Sequence, residues 1–377
     1  MIIRTELIKE TCGKILTAVD DSAISVVTEL LELEAKEDTL YLSVTNKEYF
    51  TEVKLPLGEV VPALHATVNA KLFLKLISQM TSDTIEFRVT DNTLIVKGNG
   101  TYKLPIVFDN DEMMNLPKIN IENVTNEMTI DGAVLLSILQ YNSKEISKNS
   151  VVRPVQKLYY VDNNGCITFT SGACVNSFTL DAPIRVLFNN KLVKLFKLFK
   201  DKKVNFSLGY DAISDEIVQT KVRFECDDIC ITAILSCDDT LLNSVPVMAI
   251  RNRANTIHPY SVTINKDSII ETINRLLLFT NDGVKDNSKF YSTFEFSKDY
   301  MTVYDSGKKN SEVIYYNNDD SNITTTYTAI LDLTDIKSVL DTCAEQYVTI
   351  NFGDAQAIVI PRQNVRNVIP EIHINAN

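Results

Sequence analysis

Two hydrophobic periodicities alternate along this chain. Short runs in which apolar and polar side chains alternate, such as TLYLSVT at 39–45, are typical of β-strands with one buried face. Between these runs lie longer stretches whose apolar residues recur every three to four positions, which is the spacing of one face of a helix. The pattern therefore predicts an α+β fold of many short strands and a few amphipathic helices.

The order of these elements repeats along the chain. Helices are predicted near 6–19, 70–81, 131–146, 189–203, 266–279 and 333–343. Each helix is followed by about three strands, so that two strand-helix-three-strand halves occupy about 120 residues. We therefore expect three similar α+β domains at 1–120, 121–250 and 251–377, joined by linkers at 115–125 and 245–258.

The stretch NNKLVKLFKLFKDKK at 189–203 shows the helical pattern most clearly. Its apolar stripe consists of Leu192, Leu195, Phe196 and Phe199. Its opposite face carries Lys191, Lys194, Lys197 and Lys200. Such a stripe packs against a sheet and leaves the lysines outside. Two interpretations of the lysine face stay open here: a solvated surface, or a surface that binds a polyanion.

The other predicted helices also carry cations on or just beyond the face opposite their apolar stripe. These cations are Lys9, Lys14, Lys71, Lys75, Lys144, Lys148, Lys266, Arg275 and Lys337. The chain as a whole has 49 acidic and 37 basic residues and a net charge of −12. This balance argues against a protein that coats nucleic acid with its whole surface. It leaves open a protein that attracts nucleic acid along one basic face.

Composition also limits the compartment and the metal chemistry. No apolar run approaches the ~20 residues needed to span a bilayer, and the N-terminal stretch lacks the apolar segment of a signal peptide. We therefore expect a soluble, cytoplasmic protein that does not bind membranes. The seven cysteines are odd in number and scattered, which argues against a disulfide framework. Only Cys226, Cys230 and Cys237 are clustered, and since no histidine accompanies them we expect no metal site.

The sequence contains no recognisable catalytic motif. Gly98 and Gly100 lie in a predicted hairpin and do not open a helix, unlike the glycines of a phosphate-binding loop. The three histidines, His65, His258 and His373, are far apart in the sequence. Paired acids such as 227–228 and 319–320 are typical of turns. We expect no enzymatic activity and no cofactor.

Three segments of the first predicted domain resemble a known family, the sliding clamp (β subunit) of bacterial replicative DNA polymerase. They are ISVVTELLELEAKEDTLYLSVTN at 24–46, ATVNAKLFLKLISQM at 66–80 and IEFRVTDNTLIVKGNGTYKLPIV at 85–107. The resemblance implies a homodimer closed head to tail into a ring of similar domains, with helices lining a central channel. Double-stranded DNA would pass through the channel without being read in sequence. The ring would tether a DNA polymerase, and polymerase and clamp loader would bind through short linear peptides.

The resemblance also implies three sets of functional residues. The DNA-binding set comprises Lys9, Lys14, Lys71, Lys75, Lys144, Lys148, Arg153, Lys191, Lys194, Lys197, Lys200, Lys266 and Arg275. A hydrophobic cleft for partner peptides, between the second and third domains, would comprise Val155, Thr170, Gly172, Val175, Leu241, Leu242, Val245, Ile369, Pro370 and Ile372. At the dimer interface, Tyr102 would pack against Leu278 and Phe279. The cleft and interface residues could equally be core residues of their own domains.

The chain departs from the family pattern within the cleft. Family members commonly have Thr-Asp-Gly-His-Arg-Leu where this chain has Thr-Ser-Gly-Ala-Cys-Val at 170–175. They tend to have methionines near the C-terminal proline, where this chain has Ile369 and Ile372. The cleft should stay apolar, but its peptide preference is open.

Two other functional classes are compatible with the same pattern. One is a structural ring or assembly protein of a virus particle, built from repeated strand-rich domains. The other is an enzyme whose active site is assembled across domains. The abundance of Asn, Ile and Lys is typical of an AT-rich genome and is compatible with a phage origin.

Overall fold

The computed structural model describes residues 1–20, 25–147, 152–214, 217–280, 287–316, 321–353 and 357–373. The chain divides into two compact units. Unit 1 comprises Met1–Leu136, Asp181–Pro183 and Lys191–Cys237. Unit 2 comprises Ser137–Leu180, Ile184–Asn190 and Asp238–Asn377. Residues of the expected middle domain occur in both units, and the division into three domains stays a prediction.

Strands and helices are numbered in chain order. The first part of the chain contains β1 (Ile2–Arg4), α1 (Thr5–Leu16), β2 (Leu30–Lys36), β3 (Thr39–Thr45), β4 (Tyr49–Pro56), β5 (Leu64–Asn69), α2 (Ala70–Gln79), β6 (Thr84–Thr90), β7 (Thr93–Lys97), β8 (Thr101–Pro105), β9 (Phe108–Asp109) and β10 (Glu112–Met113). It continues with β11 (Val124–Asp131), α3 (Gly132–Ser137), β12 (Leu158–Asp162), β13 (Gly165–Phe169), β14 (Ala173–Asn176), β15 (Arg185–Asn189), α4 (Asn190–Leu195), β16 (Lys203–Ser214), β17 (Ile217–Cys226) and β18 (Ile229–Leu235). The last part contains α5 (Asp239–Ser244), α6 (Val247–Ala254), β19 (Tyr260–Asn265), α7 (Lys266–Leu277), β20 (Tyr291–Phe296), β21 (Tyr300–Tyr304), β22 (Ser311–Tyr315), β23 (Tyr327–Asp332), α8 (Leu333–Leu340), β24 (Tyr347–Phe352), β25 (Ala357–Arg362) and β26 (Val365–Pro370).

Unit 1 is built on an eight-stranded antiparallel sheet in the order β11-β16-β17-β18-β4-β3-β2-β5. It also contains the four-stranded sheet β1-β6-β7-β8 and the ribbon β9-β10. A two-residue hairpin turn at 91–92 joins β6 to β7, and Thr90 pairs with Thr93 across it. Asp91 adopts φ +49°, a conformation that Asp tolerates better than most residues and that suits a two-residue hairpin turn.

The core of unit 1 contains the apolar stripe predicted for residues 189–203, which are called the lysine segment below. The rings of Phe196 and Phe199 lie 5.1 Å and 6.1 Å from the ring of Phe224 on β17. Phe206 on β16 contacts the same ring edge-on, with 5.2 Å between centroids. All four phenylalanines are buried. Burial of this aromatic cluster therefore attaches the lysine segment to the sheet.

Unit 2 repeats the arrangement with the sheet β15-β12-β13-β14-β26-β25-β24-β19 and the four-stranded sheet β22-β21-β20-β23. Strands from distant parts of the chain meet where β14 pairs with β26, with Ala173 opposite Val368. The core includes Phe296 and Phe352, whose rings stack with 4.2 Å between centroids. Helices α7 and α8 contribute buried isoleucines such as Ile269 to it.

Side-chain caps explain where several helices begin. The side chain of Asn69 accepts a hydrogen bond from the amide of Leu72 at the start of α2. Asn265 caps α7 and Asp332 caps α8 in the same way. Each cap satisfies an amide that has no partner within the helix.

The structure corrects several of the predicted elements. The helix expected at 131–146 consists of α3, a π-helical turn (Ile138–Asn142) and a 3-10 turn (Ser143–Glu145). The linker expected at 245–258 contains α6, and the elements that were not predicted also include α5, β5, β9, β10 and β15. Within the described residues, no helix has the length and apolarity required to cross a lipid bilayer.

Candidate functional site

The predicted cationic face of unit 1 lies on α1, α2 and the lysine segment. Helix α4 ends at Leu195 and continues as a 3-10 helix (Phe196–Phe199). Residues three apart are aligned in a 3-10 helix, so Lys194, Lys197 and Lys200 follow one side of the segment. All three are exposed, and they form no ion pair within the described part of the chain.

Other predicted cations of unit 1 are held by acidic side chains. Lys14 contacts Glu10 at 2.7 Å and Asp228 at 3.1 Å. Lys202 forms a second, short contact with Asp228. Burial alone would raise the pKa of Asp228, but hydrogen bonds and charge from the two lysines lower it to about 2. The acid therefore joins the C-terminal turn of α1 to the end of the lysine segment and neutralises part of the basic face.

The remaining predicted DNA-binding residues differ in exposure and in partners. Lys191 forms an ion pair with Asp20 at 2.7 Å. Arg275 is held by Glu312, also at 2.7 Å, and the Lys266 ammonium donates a hydrogen bond to a backbone carbonyl. Lys9 is half-buried. The exposed residues of the set include Lys71, Lys75, Lys144 and Arg153. Lys148 lies outside the described residues.

Unit 2 contains a groove of about 380 Å³ beside the β14-β26 pair. One wall is the turn between β13 and β14, and another is α6. The residues that line it are Phe169, Thr170, Ser171, Gly172, Ala173, Ala249, Ile250, Arg253, Val368 and Pro370. An ion pair between Arg251 and Asp162, at 2.7 Å and mostly buried, holds α6 to the end of β12. The groove is thus mainly apolar, with one arginine in its wall.

Only part of the predicted peptide cleft lies in this groove. Thr170, Gly172 and Pro370 line it. Five predicted residues are buried in unit 2 instead: Val155, Val175, Leu242, Val245 and Ile369. Leu241 and Ile372 are half-buried and do not line the groove.

Helix α6 supplies the groove residues that sequence reasoning missed. Its segment was expected to be part of a linker between two domains. The signal was present: Val247, Ile250 and Ala254 have helical spacing directly after Pro246. Ala254 is buried, whereas Ala249, Ile250 and Arg253 line the groove.

The backbone of β26 lies so close to residue 172 in the groove wall that only glycine fits there. A Cβ at this position would lie 2.6 Å from the backbone carbonyl oxygen of Val368. The same Cβ would lie 3.5 Å from both carboxylate oxygens of Glu145. The turn is therefore packed directly against β26 and against a buried acid.

Two acids with raised pKa values lie behind this turn. Glu145 is 6% exposed, and its Oε2 accepts a hydrogen bond from the Thr170 hydroxyl at 2.9 Å. Burial raises the pKa of Glu145 to about 7, opposed by that hydrogen bond and reinforced by Asp335. Burial also raises the pKa of Asp335 to about 6, together with the charge of Asp332, although a hydrogen bond from Ser171 opposes the rise.

The predicted interface residues are exposed apolar side chains in their own units. In unit 1, Tyr102 lies on β8, an edge strand, and is 39% exposed. In unit 2, Leu278 and Phe279 follow α7 and are 79% and 56% exposed. The alternative reading, that these three residues are intradomain core, does not fit their exposure.

No group of His, Cys, Asp and Glu side chains suited to hold a metal occurs among the residues that the structure describes.

Comparison with solved structures identifies the fold. The chain is similar to the crystal structure of the DNA polymerase III subunit beta from Pseudomonas aeruginosa, with a TM-score of 0.80 and 14% identity over 99% of both chains. It is similar to the DNA polymerase III beta subunit from Thermotoga maritima, with a TM-score of 0.79 and 11% identity over 99% of both chains. It is also similar to the Helicobacter pylori beta clamp bound to a DNA ligase peptide, with a TM-score of 0.76 and 14% identity over 99% of both chains. The predicted sliding-clamp fold is thereby confirmed.

Sequence comparison finds no such match. No family model matches the chain, and no curated protein is similar to it in sequence.

Proposed function

We propose that this protein is a sliding clamp, a ring that encircles duplex DNA and tethers a DNA polymerase to it. The full-length structural likeness to DNA polymerase III beta subunits carries this proposal, since it covers 99% of both chains at a TM-score of 0.80. The basic helix face and the apolar groove support it independently. The protein would act without catalysis, by confining the polymerase beside its template and so raising its effective concentration there.

The DNA contact proposed here is electrostatic and independent of sequence. Lysines attract phosphates without reading base edges, and exchange of loose contacts permits sliding. The exposed row of Lys194, Lys197 and Lys200 is the strongest part of this face. Lys14 and Lys191 are already paired with acids and should contribute less.

The partner contact proposed here is a short peptide in the groove of unit 2. The Helicobacter pylori beta clamp has been solved with a DNA ligase peptide, which is a precedent for peptide binding on this fold. The polymerase and a clamp loader would each present such a peptide. Phe169, Ile250 and Val368 supply apolar surface for its side chains.

Ring closure would use the exposed apolar residues named above. In the proposed homodimer, Tyr102 of one subunit packs against Leu278 and Phe279 of the next. Exposed apolar side chains of this size are typical of protein interfaces.

The decisive test is topological. A clamp loaded onto bead-bound nicked circular DNA should stay bound through a high-salt wash and be released when the circle is cut by a restriction enzyme. Sedimentation should give twice the 42.4 kDa chain mass. Equal release from circular and linear DNA would contradict the proposal.

A charge-reversal pair of variants tests the DNA face. Replacing Lys194, Lys197 and Lys200 with Glu should abolish retention on circular DNA. The matched control replaces Lys36, Lys97 and Lys203, three exposed lysines on strands of unit 1, with Glu. Loss of retention in both variants would indicate a net-charge effect and not a DNA-binding face.

A further inference from the structure

A short turn forms one wall of the unit 2 groove, and the role inferred for it rests on the proposed peptide binding. The turn connects β13 to β14, and the amide of Thr170 donates a hydrogen bond to the carbonyl of Gly172 at 2.9 Å. Its three residues, Thr170, Ser171 and Gly172, all line the groove. The position of this short turn therefore decides the width of the groove.

Two carboxyl groups hold the turn from the side away from the groove. Glu145 accepts a hydrogen bond from the Thr170 hydroxyl, and Asp335 accepts one from the Ser171 side chain. Glu145 reaches the turn from a 3-10 helix, whereas Asp335 reaches it from the first turn of α8. Gly172 has no room for even a Cβ between β26 and Glu145. Both carboxyls therefore contact the turn that forms the groove wall.

The charges around this pair favour its neutral form. In addition to burial, the negative charge of Asp335 raises the pKa of Glu145, and that of Asp332 raises the pKa of Asp335. The acids therefore repel one another when ionised. The nearby thiol of Cys174 on β14 is buried.

The cations on neighbouring elements have other partners or positions. Arg362 of β25 is stacked 4.2 Å from the ring of Tyr141. Lys337 of α8 pairs with Asp341 at 2.8 Å, and Lys144 is exposed. Arg253 lines the opposite wall of the groove.

We propose that Glu145 and Asp335 are positioning residues for the peptide groove, and that the groove takes its peptide-binding form as long as at least one of the two carboxyls is protonated. When both acids are ionised, two negative charges repel one another in a confined site. This cost outweighs the hydrogen bonds from Thr170 and Ser171, and the turn is displaced. Peptide affinity then falls as the pH rises from 6 to 8. The pair would make partner exchange on the clamp sensitive to pH.

The size of the effect follows from the ionisation of Glu145. With its pKa at about 7, roughly nine-tenths of Glu145 is ionised at pH 8. If the peptide binds only the protonated form, the apparent affinity falls about tenfold between pH 6 and pH 8.

The test measures fluorescence anisotropy of the full-length protein with the peptide Gln-Leu-Ser-Leu-Phe. The peptide is amidated at its C-terminus and labelled on its N-terminal amine with tetramethylrhodamine, so it has no group that titrates between pH 6 and pH 8. Wild-type protein should bind it about tenfold more weakly at pH 8 than at pH 6. Glu145→Gln keeps the shape of the side chain without its charge and should bind at pH 8 as the wild type does at pH 6.

Two further variants separate positioning from simple structural damage. Asp335→Asn should flatten the profile in the same direction as Glu145→Gln. Glu312→Gln is the matched control, because the Arg275 guanidinium lowers the pKa of Glu312 and keeps it ionised over this range. The control should keep the wild-type pH profile.

The following results would contradict the proposal. Binding that is equally tight at both pH values, or a Glu145→Gln variant that retains the pH dependence, would overturn the inference and leave the proposed peptide groove intact. No binding at any pH, by wild type or Glu145→Gln, would refute the peptide groove and this inference with it.

Discussion

The salt dependence of DNA binding gives the sharpest test of the basic face. The change is Lys194→Ala, Lys197→Ala and Lys200→Ala in one protein. These lysines are exposed and form no ion pair within the described residues, so each is available to a phosphate. Each phosphate contact contributes about 0.9 to the slope of log affinity against log salt concentration. The triple variant should therefore reduce the slope by about 2.7, so that a fourfold rise in salt weakens wild-type binding about 40-fold more than variant binding.

The assay is anisotropy of a labelled DNA duplex between 50 and 200 mM KCl. The matched control replaces Lys36, Lys97 and Lys203 with Ala, which changes the net charge by the same amount. Those lysines are exposed but lie on strands and are paired with acids. An unchanged slope in the helix variant, or an equal change in both variants, would refute the assignment of DNA binding to this face.

Three further predictions concern stability and the groove. Gly172→Ala should lower the free energy of unfolding by about 1–3 kcal/mol and weaken peptide binding, because the added Cβ would lie 2.6 Å from a carbonyl oxygen of β26. Thermal unfolding measures the first effect, and peptide anisotropy measures the second. Phe224→Ala should cost about 3–5 kcal/mol in urea unfolding, since three rings pack on it, whereas the exposed Val218→Ala should cost under about 0.5 kcal/mol. Asp228→Asn should destabilise the protein above pH 4, and the difference from wild type should vanish as the pH falls through about 2, because the lowered pKa of Asp228 stabilises the folded state only when it is ionised. A pH-independent difference in thermal unfolding would contradict this last prediction.

Most of the secondary structure could be predicted because it is local. The alternation of apolar residues locates strands, and the helical spacing at 189–203 correctly predicts which side chains are buried. Leu192, Leu195, Phe196 and Phe199 are all buried. The composition of α6, by contrast, is not distinctive enough over eight residues to separate a helix from a linker.

The functional surfaces depend on partners that are distant in the chain. The groove forms where β14 meets β26, almost two hundred positions later in the numbering, and no local pattern specifies that pairing. The pKa of Glu145 also depends on distant parts of the chain: burial and the charge of Asp335 raise it, and the Thr170 hydroxyl opposes the rise. The pairing of Lys14 with Asp228 likewise joins two ends of a unit.

The amino-acid sequence by itself determined which faces are apolar, which helices carry lysine and, through three short segments, which fold the chain resembles. Only the tertiary structure decided which lysines remain available, which apolar residues form a groove and which acids are buried. The physical reason is that periodicity is set by neighbours a few residues apart, whereas charge pairing and desolvation are set by whatever the fold brings within a few ångströms.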